Sequence, residues 1–232
     1  MLRLITDFDG PIMDVSERYY RVYQFCLENI RNPEQSVQEL TKAEFWQLKR
    51  SRVPEREIGV KSGLDATQAQ EFAQLRRKIV HTDTYFKYDR LIPGAVETLV
   101  KIQQAGIDLA VMTMRRVREL DYALTKYDLA KFFPENRRYC LENDYVKTSD
   151  VEDKPLLMQR AVKELPPVSE TWMVGDTEAD IAAAKQYNIK MIAVESGIRD
   201  RTQLEIYQPD LIVKDLSTAV KLILESQPLE IS

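Results

Sequence analysis

Asp7 and Asp9 stand two residues apart where the apolar run Leu2-Arg3-Leu4-Ile5-Thr6 stops, inside the acidic turn Asp7-Phe8-Asp9-Gly10-Pro11. Far along the chain, Gly175-Asp176-Thr177-Glu178-Ala179-Asp180 sets a second pair of aspartates at the close of another apolar run. Thr113 closes a third, and Lys154 directly precedes Pro155. If these residues share one site, three or four carboxylates would repel one another strongly unless a cation sat among them. Oxygen ligation without a Cys and His cluster suits Mg²⁺, which binds through one or two carboxylates together with substrate phosphate oxygens. Taken singly, each aspartate reads as a turn or cap residue, and Asp180 fits the acid preference of a first helical turn. What points beyond capping is the coincidence of Asp7, Asp9 and Asp176 at separate strand ends, because ligands of open parallel sheets bind beyond the carboxyl ends of the strands.

Such a site needs a parallel sheet, and the hydrophobic pattern predicts one. Leu2–Thr6 reads as a buried strand, and a period of two puts Asp7 and Asp9 on one side with Phe8 opposite. Asp14 and Glu17 have capping-box spacing ahead of a helix from about 15 to 30, whose apolar face carries Tyr19, Tyr20, Val22, Tyr23, Phe25, Cys26, Leu27 and Ile30. Helical pattern continues through Phe45, Trp46 and Leu48, then Phe72, Leu75, Ile79 and Val80, with no strand between Asp14 and Arg90. A helical stretch of roughly 75 residues is too long for a connection and should pack as a unit. After Pro93-Gly94 strands and helices alternate: helix Ala95–Gln104 closed by Gly106, strand Ile107–Thr113, helix Val117–Lys126 and strand Arg138–Leu141. A helix with Pro155 in its first turn follows to Leu165, then strand Thr171–Gly175, helix Ala179–Tyr187, strands Lys190–Val194 and Asp210–Val213, and helix Leu216–Glu225. This alternation implies right-handed crossovers and a doubly wound, mainly parallel α/β sheet. The expected organisation is an α/β core of residues 1–13 and 92–232 with an all-helical insertion of residues 14–91.

The wider composition narrows the chemistry. The 232 residues are 44% hydrophobic and 30% charged, which suits a folded globular chain. A net charge of −4 gives no ground for nucleic-acid binding. The 7 glycines are spaced so that neither G-x-G-x-x-G nor a P-loop occurs, which excludes a glycine-rich phosphate cradle. The 2 cysteines, Cys26 and Cys140, cannot build a disulfide framework and are expected as small buried apolar groups. No leader pattern opens the sequence and no apolar stretch approaches the roughly 20 residues of a membrane span, so a cytoplasmic protein without membrane partners is expected.

Together, Asp7-Phe8-Asp9-Gly10, the strand-terminal Thr113, Lys154-Pro155 and Gly175-Asp176-Thr177-Glu178-Ala179-Asp180 resemble the four ordered motifs of the haloacid dehalogenase superfamily. The likeness covers essentially the whole core and includes Pro93-Gly94 and Pro209-Asp210. The helical segment between the first two motifs resembles the cap of the phosphoglycolate-phosphatase-like branch. The resemblance implies a Mg²⁺-dependent phosphatase acting on a small phosphorylated metabolite, with Asp7 as nucleophile forming a phospho-aspartyl intermediate and Asp9 as general acid and base. It implies metal ligation by the Asp7 side chain, the Asp9 main-chain carbonyl and Asp176, with Asp180 bound directly or through water. Thr113 would donate to the transferring phosphoryl group and Lys154 would neutralise it together with Asp7. An acid two residues after Asp7 favours phosphate over dehalogenase chemistry.

One position departs from the pattern: Pro11 stands where the family usually has Thr or Val, and proline should push Gly10 towards an extended backbone. Arg115 is close enough to the Thr113 strand end to reach a substrate phosphate or carboxylate. The clusters Lys49-Arg50-Ser51-Arg52 and Arg76-Arg77-Lys78 read as solvated helix faces. His81, the single histidine, carries no motif and is expected in a capping or surface role. The competing readings are a phosphomutase of the same fold, a phosphonate hydrolase using a cap lysine (Lys42, Lys49, Lys61, Lys78 or Lys87), and a non-catalytic scaffold. A monomer or weak homodimer is expected.

Overall fold

The structure, a computed structural model, describes residues 1–226. Its centre is a six-stranded parallel sheet. The strands are β1 (Leu2–Thr6), β4 (Asp108–Arg116), β5 (Arg138–Leu141), β6 (Glu170–Gly175), β7 (Lys190–Val194) and β8 (Leu211–Val213), in the order β5-β4-β1-β6-β7-β8. The first strand therefore lies in the middle, pairing in parallel with β4 on one side and β6 on the other. Its two neighbours in the sheet lie far along the chain, so its end is flanked by residues near 113 and near 176. Alternate residues feed different cores: Leu4, Val111, Val174 and Ile192 pack on one face. Ile5, Met112, Met173 and Met191 pack on the other. Strands buried on both faces are the mark of a sheet covered by helices on both sides. The helices that cover it are α6 (Ala95–Gln104), α7 (Val117–Lys126), α8 (Asp150–Glu164), α9 (Glu178–Gln186), α10 (Arg201–Ile206) and α11 (Leu216–Glu225). The doubly wound α/β architecture is the one the pattern predicted.

Between β2 (Met13–Asp14) and β3 (Arg90–Leu91), which pair antiparallel, the chain forms α1 (Ser16–Ile30), α2 (Lys42–Arg50), α3 (Glu55–Lys61), α4 (Ala66–Ile79) and α5 (Asp83–Phe86). These helices gather a hydrophobic cluster of their own around Val22, Tyr23, Phe45, Ile58 and Phe72. Tyr23 stacks on Phe45 with ring centroids 4.8 Å apart, while Phe25 from the same stripe is 44% exposed. Both cysteines are free and buried.

Three local expectations are corrected. Asp14 does not form a capping box with Glu17; its Oδ1 accepts the Ser16 N–H at 2.8 Å, and Glu17 pairs with Arg21 and Lys42. Helix α8 begins at Asp150, so Lys154 and Pro155 lie within it rather than at its first turn. Ser149 caps that helix by accepting the Glu152 N–H at 3.3 Å, and acids at 150, 152 and 153 suit its amino-terminal dipole. These signals outweigh the helix bond that Pro155 removes. Gly10 has φ +93, outside the extended region expected before Pro11.

Candidate active site

The glycine conformation at position 10 has a steric cause. A Cβ there would lie 2.3 Å from Asp176 Cγ, and a Cβ on Gly197 would lie 1.8 Å from Asp176 Oδ2. Two glycines from different loops thus cradle one carboxylate, and only glycine tolerates the positive φ at position 10 without strain. Asp176 Oδ2 accepts the Ile198 N–H at 2.6 Å. The turn after β1 is tied to β6 by the Asp7 N–H donating to the Val174 carbonyl at 2.7 Å, which brings Asp7 beside Asp176. Carboxylate oxygens of Asp7, Asp176 and Asp180 lie within 4.8 Å of one another, and all three residues are buried.

Lys154, reaching in from α8, places Nζ 2.7 Å from Asp7 Oδ2 and 2.5 Å from Asp180 Oδ1. Asp180 also caps α9: its Oδ2 accepts the Asp176 N–H at 3.1 Å, the Thr177 N–H at 3.0 Å and the Thr177 hydroxyl at 2.7 Å. Capping and membership of the acidic group are therefore both true of Asp180. Burial raises Asp7 well above the ordinary carboxylate range; Lys154 opposes that rise, and Asp180 and Asp176 add to it. Asp176 is pushed up to about 7 by burial and by the charge of Asp180. Lys154 stays well above its usual range because Asp180 and Asp7 outweigh its own burial. With all three carboxylates ionised the group would carry two more negative charges than its one ammonium offsets, which adds to burial in pushing Asp7 and Asp176 up. An oxygen-only donor set with that negative excess, and with Asp176 held in a glycine cradle, fits a hard divalent cation.

Asp9 is oriented away from this group. Arg115 Nε donates to its Oδ1 at 2.9 Å, and Arg18 Nη2 lies 3.3 Å from its Oδ2. Both arginines also hold Asp89, at 2.5 Å from Arg115 Nη2 and 3.0 Å from Arg18 Nε. Burial alone would raise Asp9, but the guanidinium groups of Arg115 and Arg18 override it and hold the carboxyl below its usual range. Arg115 therefore meets the acid at position 9, with Nη1 left unpartnered among the described residues. Thr113 sits where the pairing of β4 with β5 shifts register, between Met112 and Arg116, and its Oγ1 accepts the Arg115 N–H at 3.2 Å. Irregular strand pairing of this kind re-aims side chains next to sites.

Asp7, Asp9, Thr113, Arg115, Lys154 and Asp176 all line one cavity of about 260 Å³, room for a small metabolite. Asp180 lies just beneath, wholly buried. Several lining residues carried no signal in the sequence. Lys49 and Arg76 of the expected solvated clusters face the cavity, as does His81. Arg50 Nη2 donates to the carbonyls of Glu195 at 2.8 Å and Arg199 at 3.1 Å, and Arg52 Nη2 lies 3.3 Å from Glu178 Oε1. The Lys49–Arg52 cluster is thus a contact between the inserted helices and the sheet, not a solvated face. Partners far along the same chain, Glu178 and the loop at 195–200, give Arg50 and Arg52 their roles, and spacing cannot reveal such pairs.

The family described as haloacid dehalogenase-like hydrolase matches residues 4–194. The pyrophosphatase PpaX of Bacillus mycoides is 25% identical over 170 residues, which are 70% of this chain and 73% of that protein. A phosphoglycolate phosphatase of Pseudomonas fluorescens is 24% identical over 133 residues, or 57% of this chain and 47% of the relative. The chain thus spans between about half and three quarters of the curated relatives it matches. Among solved structures, a haloacid dehalogenase-like family hydrolase from Streptococcus pneumoniae superposes with a TM-score of 0.69 at 17% identity, covering 95% of this chain and 97% of the other. A hydrolase from Pseudomonas syringae gives 0.61 at 19% identity, with coverage of 98% and 100%. The likeness to these structures is one of fold.

Proposed function

The chain belongs to the haloacid dehalogenase-like hydrolases, and from that premise we propose that it is a Mg²⁺-dependent phosphatase that cleaves a small phosphate monoester or anhydride through a phospho-aspartate on Asp7. The observation that carries the reading is the buried group of Asp7, Asp176 and Asp180 around Lys154 at the carboxyl ends of β1 and β6. The names of the pyrophosphatase and phosphoglycolate phosphatase relatives support the reaction class.

Asp7, Asp176 and the main-chain carbonyl of Asp9 would hold the metal, with Asp180 acting directly or through its neighbours. Bound there, a divalent cation supplies charge neutralisation for the carboxylates and the phosphoryl oxygens. Asp7 Oδ1 is held by the Phe8 N–H at 2.6 Å, and Oδ2 by Lys154, so the carboxylate is fixed in orientation before substrate arrives. Attack by an Asp7 oxygen on phosphorus breaks the bond to the leaving oxygen, which takes a proton from Asp9. Asp9 then removes a proton from the water that cleaves the acyl phosphate, releasing phosphate and restoring Asp7. Arg18 and Arg115 hold Asp9 ionised and turned from the acidic group, so it takes up a proton for this task only on leaving them, while the hydroxyl of Thr113 and the ammonium of Lys154 offset charge on the transferring group. Residues 14–91 act as a cap over a core of residues 1–13 and 92–232, excluding water from the cavity.

The test is phosphate release from p-nitrophenyl phosphate that requires Mg²⁺ and stops with EDTA. It is joined to an acid-quenched, hydroxylamine-labile phosphoryl label that maps to Asp7. A folded protein that releases no phosphate from a broad panel of phosphate esters would favour the scaffold reading. A phosphonate hydrolase remains a second reading on one observation: of Lys42, Lys49, Lys61, Lys78 and Lys87, Lys49 lines the cavity. Borohydride trapping of Lys49 with an aldehyde-bearing phosphonate would decide for it.

A further inference from the structure

The cavity wall opposite the acidic group holds more positive charge than its own carboxylates satisfy. Arg76 of α4 is 6% exposed and lines the cavity. Its Nη1 lies 2.7 Å from Glu55 Oε1, yet Nε and Nη2 are buried with no hydrogen-bond partner among the described residues. Lys49 of α2 lines the same wall and pairs with the same Glu55 oxygen, so two cations share one carboxylate. Tyr19 backs the pair, its ring centroid 4.8 Å from the Arg76 guanidinium carbon and 5.8 Å from Lys49 Nζ. Of the other cations lining the cavity, Arg115 is held by Asp9 and Asp89 with Nη1 unpartnered among the described residues, and two more are paired. Arg199 makes two bonds to Glu178, at 2.8 and 2.9 Å, and Lys147 pairs with Asp150.

A buried guanidinium with unmade bonds is costly, and its planar fork suits a carboxylate or phosphate gripped by two N–H groups. Burial first, and then the charge of Arg76, pull the Lys49 ammonium down to about 8 in spite of Glu55. An anion delivered to this wall would meet the free N–H groups and relieve its excess of positive charge.

We propose that the substrate carries a second anionic group, a carboxylate or a phosphate, a few atoms from the phosphorus that Asp7 attacks, and that Arg76 with Lys49 recognises it. The cavity volume of about 260 Å³ keeps the tail short. Arg76 and Lys49 are then specificity-determining residues lent by the inserted helices, while cleavage proceeds at the strand ends. This assignment rests on the phosphatase reading given above.

The experiment compares kcat/KM of the full chain with Mg²⁺ for ethyl phosphate, 2-phosphoglycolate and pyrophosphate, which carry a neutral, a carboxylate and a phosphate tail. At least one anionic tail is expected to exceed the neutral one by about 100-fold, and the better of the two identifies the anion. Arg76→Met is expected to shrink that ratio to about threefold, and Arg76→Lys to restore part of it, as a point charge replaces the fork. Ethyl phosphate turned over as well as both anionic probes would overturn the proposal whatever the variants do. So would a folded Arg76→Met protein that keeps the wild-type ratio. Hydrolysis of none of the three would instead bring down the phosphatase reading, and this inference with it.

Discussion

One cavity separates an acidic floor from a basic wall, and the two are assembled by different rules. The floor joins Asp7 after β1 to Lys154 of α8, 147 residues along the chain, and to Asp176 after β6, which parallel pairing with β1 brings alongside. The wall draws Lys49 and Arg76 from α2 and α4, which stand on a separate hydrophobic cluster and touch the sheet through the Arg50–Arg52 turn. On the floor, carboxylates outnumber the ammonium; on the wall, cations outnumber the carboxylate. On the proposed reading a cation completes the one and an anion the other. The contrast teaches that, on that reading, chemistry and choice of substrate are set by parts of the chain that stand on separate hydrophobic clusters.

The largest expected effect removes the floor's proposed nucleophile. Asp7→Asn keeps the shape but not the nucleophilic oxygen, and kcat for p-nitrophenyl phosphate should fall by at least about 10³-fold. Thermal stability should not fall, since burial and two neighbouring carboxylates already oppose the charge at position 7. Retained turnover would shift the nucleophile away from β1. Next in size is a substitution that attacks the wall's foundation without touching the cavity. Phe45 is fully buried and stacked on Tyr23, so Phe45→Ala should cost about 3 to 4 kcal/mol. If the inserted helices are a unit of their own, urea unfolding followed by fluorescence and circular dichroism should split into two transitions. Only the earlier one should move. A single shifted transition would show that floor and wall unfold together.

Smaller again is the expected effect of crowding the metal cradle. A methyl group on Gly197 would collide with Asp176 Oδ2, so Gly197→Ala must displace that carboxylate or its loop. Raising the Mg²⁺ concentration for half-maximal activity by about 10- to 100-fold is the expected outcome, with kcat at saturating Mg²⁺ far less affected. An unchanged Mg²⁺ requirement would remove Asp176 from the ligand set.

How much of each region was legible follows from the same contrast. The floor was readable because strand ends, a period of two and short acidic motifs are local signals, and parallel pairing brings local signals together at one edge. Thr113 and Arg115 line the cavity, but β4 runs on to Arg116 past the strand end expected at Thr113, and the Arg115 bond to Asp9 crosses 106 residues and has no local trace. Asp89, which anchors both Arg115 and Arg18, lies just before β3 and looks like any acid near a turn. The wall was misread as solvated charge because exposure of a helix face depends on what packs against it. Lys49 and Arg76 have the spacing of surface residues, and it is Glu55 and Tyr19 on neighbouring inserted helices that meet them. Pro155 misled for a related reason: Ser149 and three first-turn acids started α8 earlier than the proline suggested.

The smallest expected effect tests the seam between the two regions. Arg50 donates to the carbonyls of Glu195 and Arg199, the Asp200 N–H returns a bond to the Arg50 carbonyl at 3.3 Å, and Ser51 Oγ donates to Asp200 Oδ2 at 2.8 Å. Arg50→Met removes the guanidinium bonds and leaves the backbone and serine bonds in place. Partly solvated hydrogen bonds of this kind contribute about 1 kcal/mol net, so docking of the helices on the sheet should weaken by about fivefold. Because docking precedes chemistry for every substrate, KM should rise by that factor equally for ethyl phosphate and for the anionic probes, with kcat within about twofold. Arg76→Met predicts the opposite signature, a change in the ratio between probes. A KM increase confined to the anionic probes would therefore move Arg50 from the seam to the wall, and the boundary between the two regions with it.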